Sequence, residues 1–178
     1  MNLEELTKPL SIEDIDFRIQ SINKGKYATI LAYKDARVDM KRLDEVCGPG
    51  KWTREHKEIN GVIYCAVGIH INEINMFVYK QDAGTESMTE AQKGAASDSF
   101  KRACFNWGIG RELYDYPLIS VKLNDDEVQA QPNGKYKASW NLKLKEWKWY
   151  IETDDDGKVL VLGARDQNGN VRFNYQNK

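Results

Sequence analysis

The chain has 178 residues, of which 41% are hydrophobic and 30% charged, and its formal net charge is −1. This length favours one domain with an appendage, and the composition is that of a globular protein with a buried core. The net charge argues against a protein that coats nucleic acid through overall positive charge. It still allows a protein with a local basic groove, because phosphate binding depends on clustered cations.

The sequence also limits where the protein acts. No apolar run approaches the roughly 20 residues of a membrane span, and the acidic start of the chain lacks the features of a signal or transit peptide. The three cysteines, Cys47, Cys65 and Cys104, form no CxxC pair and are typical of reduced core thiols. We therefore expect a cytoplasmic protein with no membrane partner.

The first third of the chain predicts two helices and a strand. A start similar to a capping box and isoleucines at helical spacing predict a first helix over residues 12–22. Residues 27–33 are apolar and favour a strand. A second helix is expected over residues 35–47, ended by Gly48-Pro49-Gly50.

The middle of the chain predicts an antiparallel β-meander. Strands are expected over residues 52–59, 62–72 and 76–80, and Asn60-Gly61 between the first two is a strong hairpin signal. A long helix follows, from a cap at Thr89 to a left-handed cap at Gly108.

This long helix has two kinds of surface. Phe100, Ala103, Cys104 and Trp107 follow helical spacing and form an apolar face, while Lys93, Lys101 and Arg102 lie on other faces. The small residues 94–97 would let another backbone approach closely. The cations are either phosphate contacts or a solvated face, on which Asp98 would pair with Arg102.

The last third of the chain is expected to add a small sheet. Residues 123–137 are polar and are interpreted as a linker or long loop, and residues 138–178 as a three-stranded antiparallel meander. The predicted architecture is α+β: N-terminal helices, a β-meander packed against a long helix, and a small C-terminal antiparallel sheet. The core domain would be residues 1–122.

Residues 135–150 form a second basic cluster, with five lysines interleaved with aromatic residues and only one glutamate. This pattern suits single-stranded nucleic acid, since bases stack on aromatic rings while lysines follow the phosphates. Lys143, Lys145, Trp147 and Lys148 are therefore candidates for a second DNA contact. The alternative is that the tryptophans form the core of the small sheet.

Catalytic motifs are sparse. There is no phosphate-binding loop, no nucleophile elbow and no set of metal-ligand spacings, so we expect neither an enzyme nor a cofactor. One alternative stays open, because Asp82, Glu86 and Glu90, with Lys93 close by, could hold Mg²⁺ for phosphodiester cleavage.

Two stretches resemble a known family. Residues 93–103 (KGAASDSFKRA), followed by 107–114 (WGIGRELY), and residues 31–52 resemble the Rad-fifty-two and DdrA-type single-strand annealing proteins, which include phage recombinases. The two stretches stand in the family's order, and the resemblance covers about residues 10–117.

The resemblance implies a β-β-β-α core that assembles into a ring or filament of about ten or more copies. Single-stranded DNA would lie in a basic groove with its bases exposed, and annealing for recombination or repair would need neither ATP nor metal. Partners would be single-stranded DNA, further copies of the chain, and a partner exonuclease or host single-strand-binding protein. The setting would be a bacterial or phage-infected cell.

The resemblance also implies DNA-binding residues. The family's Lys-Arg pair falls on Lys101 and Arg102, a groove tyrosine falls on Tyr33, and a basic residue of the preceding turn corresponds to Lys24 or Lys26. Arg37 is added from its spacing to Tyr33, and Lys93 from its place on the helix. The chain departs from the family at Phe105, where eukaryotic members have an arginine, and at Val62, where they have an outer-site lysine.

Overall fold

The computed structural model describes residues 1–85, 91–154 and 157–177, with only the backbone of residues 91–93. It confirms an α+β fold in which every strand pairing is antiparallel. Chain contacts divide it into two compact units, the first formed by residues 1–10 and 34–111 and the second by residues 11–33 and 112–178. None of the helices in the described ranges is long and apolar enough to span a membrane.

The helices are α1 (Ala36–Cys47) and α2 (Ala91–Asn106). The strands are β1 (Asp16–Ile22), β2 (Tyr27–Tyr33), β3 (Trp52–Ile59), β4 (Val62–Ile71), β5 (Met76–Ala83), β6 (Ile119–Lys122), β7 (Val128–Ala130), β8 (Tyr136–Ala138), β9 (Lys148–Thr153), β10 (Val159–Arg165) and β11 (Val171–Gln176).

The first unit contains the predicted meander, a sheet of order β3-β4-β5. Asn60 and Gly61 join the first two strands with φ values of 52° and 79°, which a two-residue hairpin of this kind requires. Alternate residues of β4 are fully buried and pack with the apolar face of α2 in one core. The β-β-β-α arrangement expected from the sequence is thus confirmed.

The end of α2 is capped as predicted. Gly108 has φ 103°, and its N–H donates to the carbonyl of Phe105 at 2.9 Å, while the N–H of Ile109 donates to the carbonyl of Cys104 at 3.2 Å. This pair of bonds is the Schellman motif, and it turns the chain back beside the last turn of the helix.

The second unit corrects the prediction for residues 12–22, which do not form a helix. After a 3-10 turn over Ile12–Asp14, this stretch forms β1, which pairs with β2 in a sheet of order β1-β2-β6. Phe17 and Ile19 alternate with exposed residues and pack against the unit's core. Isoleucines spaced three and four apart fit a helix, but Phe17 and Ile19 alternate as in a strand, and the irregularity between Ile19 and Ser21 lets Ile22 pack against the same core.

The second unit also contains the C-terminal sheet, whose order is β11-β10-β9, as expected. Residues 123–137, interpreted as a linker or long loop, include β7 and the start of β8, which form a short hairpin. Glu127 ties this region to the sheet, because it accepts two hydrogen bonds from Arg172 at 2.8 and 2.7 Å, and both side chains are buried. The predicted domain boundaries stay a prediction.

Candidate nucleic-acid interface

Lys101 and Arg102 lie in the second half of α2. Their neighbours Phe100, Ala103 and Cys104 are buried against the meander, so the helix turns both cations away from the core. Arg102 keeps 44% of its side chain exposed, and Lys101 is half-buried. The side chain of Lys93, also predicted here, lies outside the described residues.

Asp82 at the end of β5 holds Arg102. Its Oδ1 lies 3.3 Å from Arg102 Nε and also accepts from the N–H of Ala83 at 2.8 Å. Its Oδ2 lies 3.4 Å from Asn106 Nδ2. A phosphate that binds Arg102 would have to compete with this carboxylate.

Lys101 faces the first turn of α1. Hydrogen bonds from Arg37 lower the pKa of Asp35, the N-cap of that helix, and the charge of Lys101 lowers it further. Arg37 donates from Nε to Asp35 Oδ1 at 2.7 Å and keeps 84% of its side chain exposed. Arg37 and Lys101 therefore both lie close enough to Asp35 to stabilise its negative charge.

A buried ion pair lies beneath this surface. Lys34 Nζ donates to Asp39 Oδ1, and both side chains are almost completely buried. Burial raises the pKa of Asp39 to about 6, against the opposing charges of Lys34 and Lys101. Sequence reasoning missed this pair, although a lysine and an aspartate five residues apart at the start of a helix were visible.

Two further cations, which were not among the predicted DNA-binding residues, contact the end of α2: Lys80 on β5 and Arg111 in the turn after the helix. Arg111 donates to the carbonyls of Phe105 and Asn106 at 3.2 Å each, and its guanidinium lies 5.5 Å from the centre of the Phe105 ring. Lys80 donates to the carbonyl of Asn106 at 2.9 Å. Both stabilise the negative end of the helix, and Arg111 supplies a positive charge beside Phe105.

The other groove candidates lie on the second unit. Tyr33 ends β2 and packs under Arg18, whose guanidinium lies 5.5 Å from the ring centre. Lys24 and Lys26 lie in the turn before Tyr27, at the opposite end of the same strand, roughly 20 Å away by strand rise. Lys24 is exposed, whereas Lys26 pairs with Asp125 at 2.7 Å.

The basic cluster of residues 135–150 has exposed lysines but a buried tryptophan. Trp147 is 6% exposed and packs in the core of the second unit, with Arg172 lying 4.5 Å from its ring centre. The ring therefore takes the alternative position foreseen from the sequence, in the core of the small sheet, and a contact of this cluster with DNA stays a prediction. Lys145 and Lys148 are exposed, and Lys143 is half-buried.

Of the three carboxylates of the alternative nuclease site, only Asp82 lies within the described residues. Asp82 is engaged by Arg102 and Asn106, while Glu86 and Glu90 lie outside the described residues. Within residues 1–85, 91–154 and 157–177, no three histidine, cysteine or carboxylate side chains are placed to hold a metal ion. His56 Nε2 instead donates to the carbonyl of Ala96 at 3.0 Å.

Comparison with known proteins gives a family match over most of the chain. Residues 2–132 match the Rad52/22 family of double-strand break repair proteins. A single-stranded DNA-binding protein DdrA from Deinococcus radiodurans is 33% identical over 117 residues, which cover 64% of this chain and 55% of that protein. A DdrA from Deinococcus deserti is 38% identical over 142 residues, covering 79% and 65%. The chain thus spans between half and two thirds of these relatives.

Proposed function

The chain belongs to the Rad52/22 family of double-strand break repair proteins, and we propose that it binds single-stranded DNA and anneals complementary strands without ATP. Its role would be in recombination or repair, as a non-enzymatic protein. The single observation that carries this proposal is the Lys101-Arg102 pair, which α2 holds at the surface of the first unit.

Phosphate contact explains the binding step. The side chains of Lys101 and Arg102, with Arg37 and Arg111 on neighbouring segments, offer charged donors that suit phosphate oxygens. Such contacts are independent of base sequence and weaken as salt rises. Tyr33 and the Lys24–Lys26 turn are proposed as further DNA contacts on the second unit.

Annealing follows if the backbone is what the protein holds. A strand held by its phosphates leaves its Watson–Crick edges free to pair, and base pairing itself supplies the free energy. Because no chemical bond is made or broken, the reaction needs neither a nucleotide nor a metal ion. The protein would keep the strand extended and remove hairpins.

Assembly would lengthen the contact. The proposed DNA-binding surface of one chain includes only a few of its 26 lysines and arginines, and the net charge of the chain is −1. Repetition of the same surface in a ring or filament of about ten or more copies would hold a continuous strand, as closed or helical homo-oligomers allow. A partner exonuclease or a host single-strand-binding protein would supply or cover that strand.

Removing the two cations tests the binding surface. Lys101→Ala with Arg102→Ala is expected to abolish binding of an oligo(dT) strand, measured by fluorescence anisotropy at matched salt. Any residual binding should depend less steeply on salt. The slope of the logarithm of the binding constant against the logarithm of the salt concentration should be shallower by about 1.4, the value for two lost phosphate contacts on a single strand.

A matched control removes the same charge elsewhere in the unit. Lys51 and Lys57 are exposed residues beside and on β3, and replacing both with alanine should leave affinity unchanged within about two-fold. Wild-type affinity in the Lys101/Arg102 variant, or equal losses in both variants, would contradict the assignment of this surface.

The rival function is Mg²⁺-dependent cleavage through Asp82, Glu86 and Glu90. An end-labelled single strand incubated with the protein should stay intact with Mg²⁺ and should anneal to its complement in EDTA. Shortened products that appear only with Mg²⁺ would favour the nuclease.

A further inference from the structure

One tryptophan of the second unit is exposed to an unusual degree. Trp140 exposes 87% of its surface, the largest fraction among the exposed large hydrophobic residues in the described parts of the chain. Trp147 and Trp149, by contrast, pack in the core of the same unit. The fold therefore makes little use of the Trp140 indole for packing, and most of the ring is accessible to a ligand.

The turn that carries Trp140 is firmly fixed. The N–H of Ser139 donates to the carbonyl of Glu127 at 2.8 Å, and its hydroxyl donates to the carbonyl of Asp126. The N–H of Asn141 donates back to Ser139 Oγ at 3.1 Å. Because Arg172, whose side chain is 9% exposed, holds Glu127, the backbone that carries the indole is anchored to the core of the unit and needs little ordering on binding.

A cation lies against the exposed ring. Lys143 Nζ is 4.5 Å from the centre of the Trp140 ring, and Lys145, two residues beyond Lys143, is exposed. Residues 135–150 contain five lysines and one glutamate. The ammonium group lies over one face of the indole, and the 87% exposure of Trp140 leaves the opposite face accessible to a nucleobase whose phosphate Lys143 could reach.

We propose that Trp140 and Lys143 form a second contact for single-stranded nucleic acid, in which a base stacks on the indole and Lys143 contacts the backbone. This contact rests on the proposed function and adds to it, because it lies on the second unit and uses stacking rather than charge alone. The excess of lysine within residues 135–150 favours a polyanion over a protein partner.

The test replaces the indole and measures binding. Trp140→Ala should weaken binding of oligo(dT) by about 5- to 100-fold, the range that loss of one stacked base gives, and Trp140→Phe should restore part of the affinity. Oligo(dT) should also quench the tryptophan fluorescence of the wild-type protein, and that quenching should be largely lost in Trp140→Ala.

A matched control separates stacking from the loss of an exposed apolar group. Leu118, also on the second unit, is 75% exposed, and Leu118→Ala should leave binding unchanged. Unchanged oligo(dT) affinity of Trp140→Ala, in a protein that loses binding with the Lys101/Arg102 variant, would overturn this inference and leave the proposed function standing. Failure of the wild-type protein to bind would overturn both.

One further outcome would also count against the inference. If Trp140→Ala changes the sedimentation of the protein without DNA and binding per subunit stays the same, the indole belongs to a contact between copies of the chain. Equal sedimentation of the two proteins, together with weaker binding, supports the stacking contact.

Discussion

In the proposed interface, the Asp82 carboxylate would compete with a phosphate for the Arg102 guanidinium. The carboxylate is 27% exposed and lies 3.3 Å from Arg102 Nε, so it both positions the guanidinium and neutralises part of its charge. Helical spacing was enough to place Lys101 and Arg102 outside the core. It could not reveal this partner, because Asp82 precedes them by about twenty residues and reaches them only through packing of β5 on α2.

Asp82→Asn should therefore strengthen binding of single-stranded DNA. The amide can still accept from Ala83, while a negative charge beside the DNA surface is removed, and we expect affinity to rise about two- to five-fold at low salt. Anisotropy titrations of both proteins at two salt concentrations measure this. A loss of affinity would mean that positioning by Asp82 matters more than its charge.

The buried Lys34–Asp39 pair makes stability depend on pH. Burial raises the pKa of Asp39 from 3.8 to about 6, so between these values the folded chain binds more protons there than the unfolded chain. The stabilising contribution of this group is therefore complete below about pH 4 and is lost as the pH rises through 6, by at most about 3 kcal/mol.

Lys34→Met with Asp39→Leu removes the pair and provides the comparison. The free energy of unfolding of the wild-type protein, relative to this variant, should fall between pH 4 and pH 7, and urea unfolding at each pH measures it. Parallel curves across this range would show that Asp39 titrates at its ordinary pKa. The variant should fold, because apolar replacement of a buried ion pair is often neutral or stabilising.

At the scale of elements, the small residues of α2 explain how closely β5 approaches it. Gly84, just after β5, donates its N–H to the carbonyl of Ile63 at 2.8 Å and lies against the backbone of Ala95 and Ser99. The sequence predicted a close backbone approach at residues 94–97. It could not identify Gly84 as the partner, since that depends on how the meander sits on the helix.

Gly84→Ala should destabilise the first unit. A Cβ there would lie 2.8 Å from the carbonyl carbon of Ala95 and 2.9 Å from the nitrogen of Ser99, so the helix or strand must shift. We expect a loss of about 1–3 kcal/mol in urea unfolding. Gly50→Ala is the matched control, because nothing lies within 4 Å of its added Cβ. Equal stability of the two variants would contradict this packing.

Local sequence patterns predict some elements of this fold and fail for those that depend on distant residues. The meander, both α-helices and the C-terminal sheet follow from local periodicity and turn residues such as Asn60-Gly61. The strand at residues 16–22 does not, because isoleucines spaced three and four apart fit a helix until β2 is available for pairing. Trp147 could not be placed either, since its burial depends on Arg172, 25 positions later in the sequence.

For the whole molecule, a net charge of −1 is compatible with the proposed DNA binding, because the cations would act in local clusters. The cations lie on α2 and its neighbours in the first unit and around Trp140 in the second. In the proposed function, phosphates bind at these clusters, because overall positive charge is not available for binding. Annealing would then depend on the named side chains of the two clusters.

The most direct test is the rate at which two complementary strands, each labelled with one fluorophore of an energy-transfer pair, anneal in EDTA without nucleotide. We expect the wild-type protein to accelerate annealing above the spontaneous rate. The Lys101→Ala, Arg102→Ala variant should return it to that rate. Strands that bind the protein and then pair more slowly than in its absence would show a passive binder and would contradict the account.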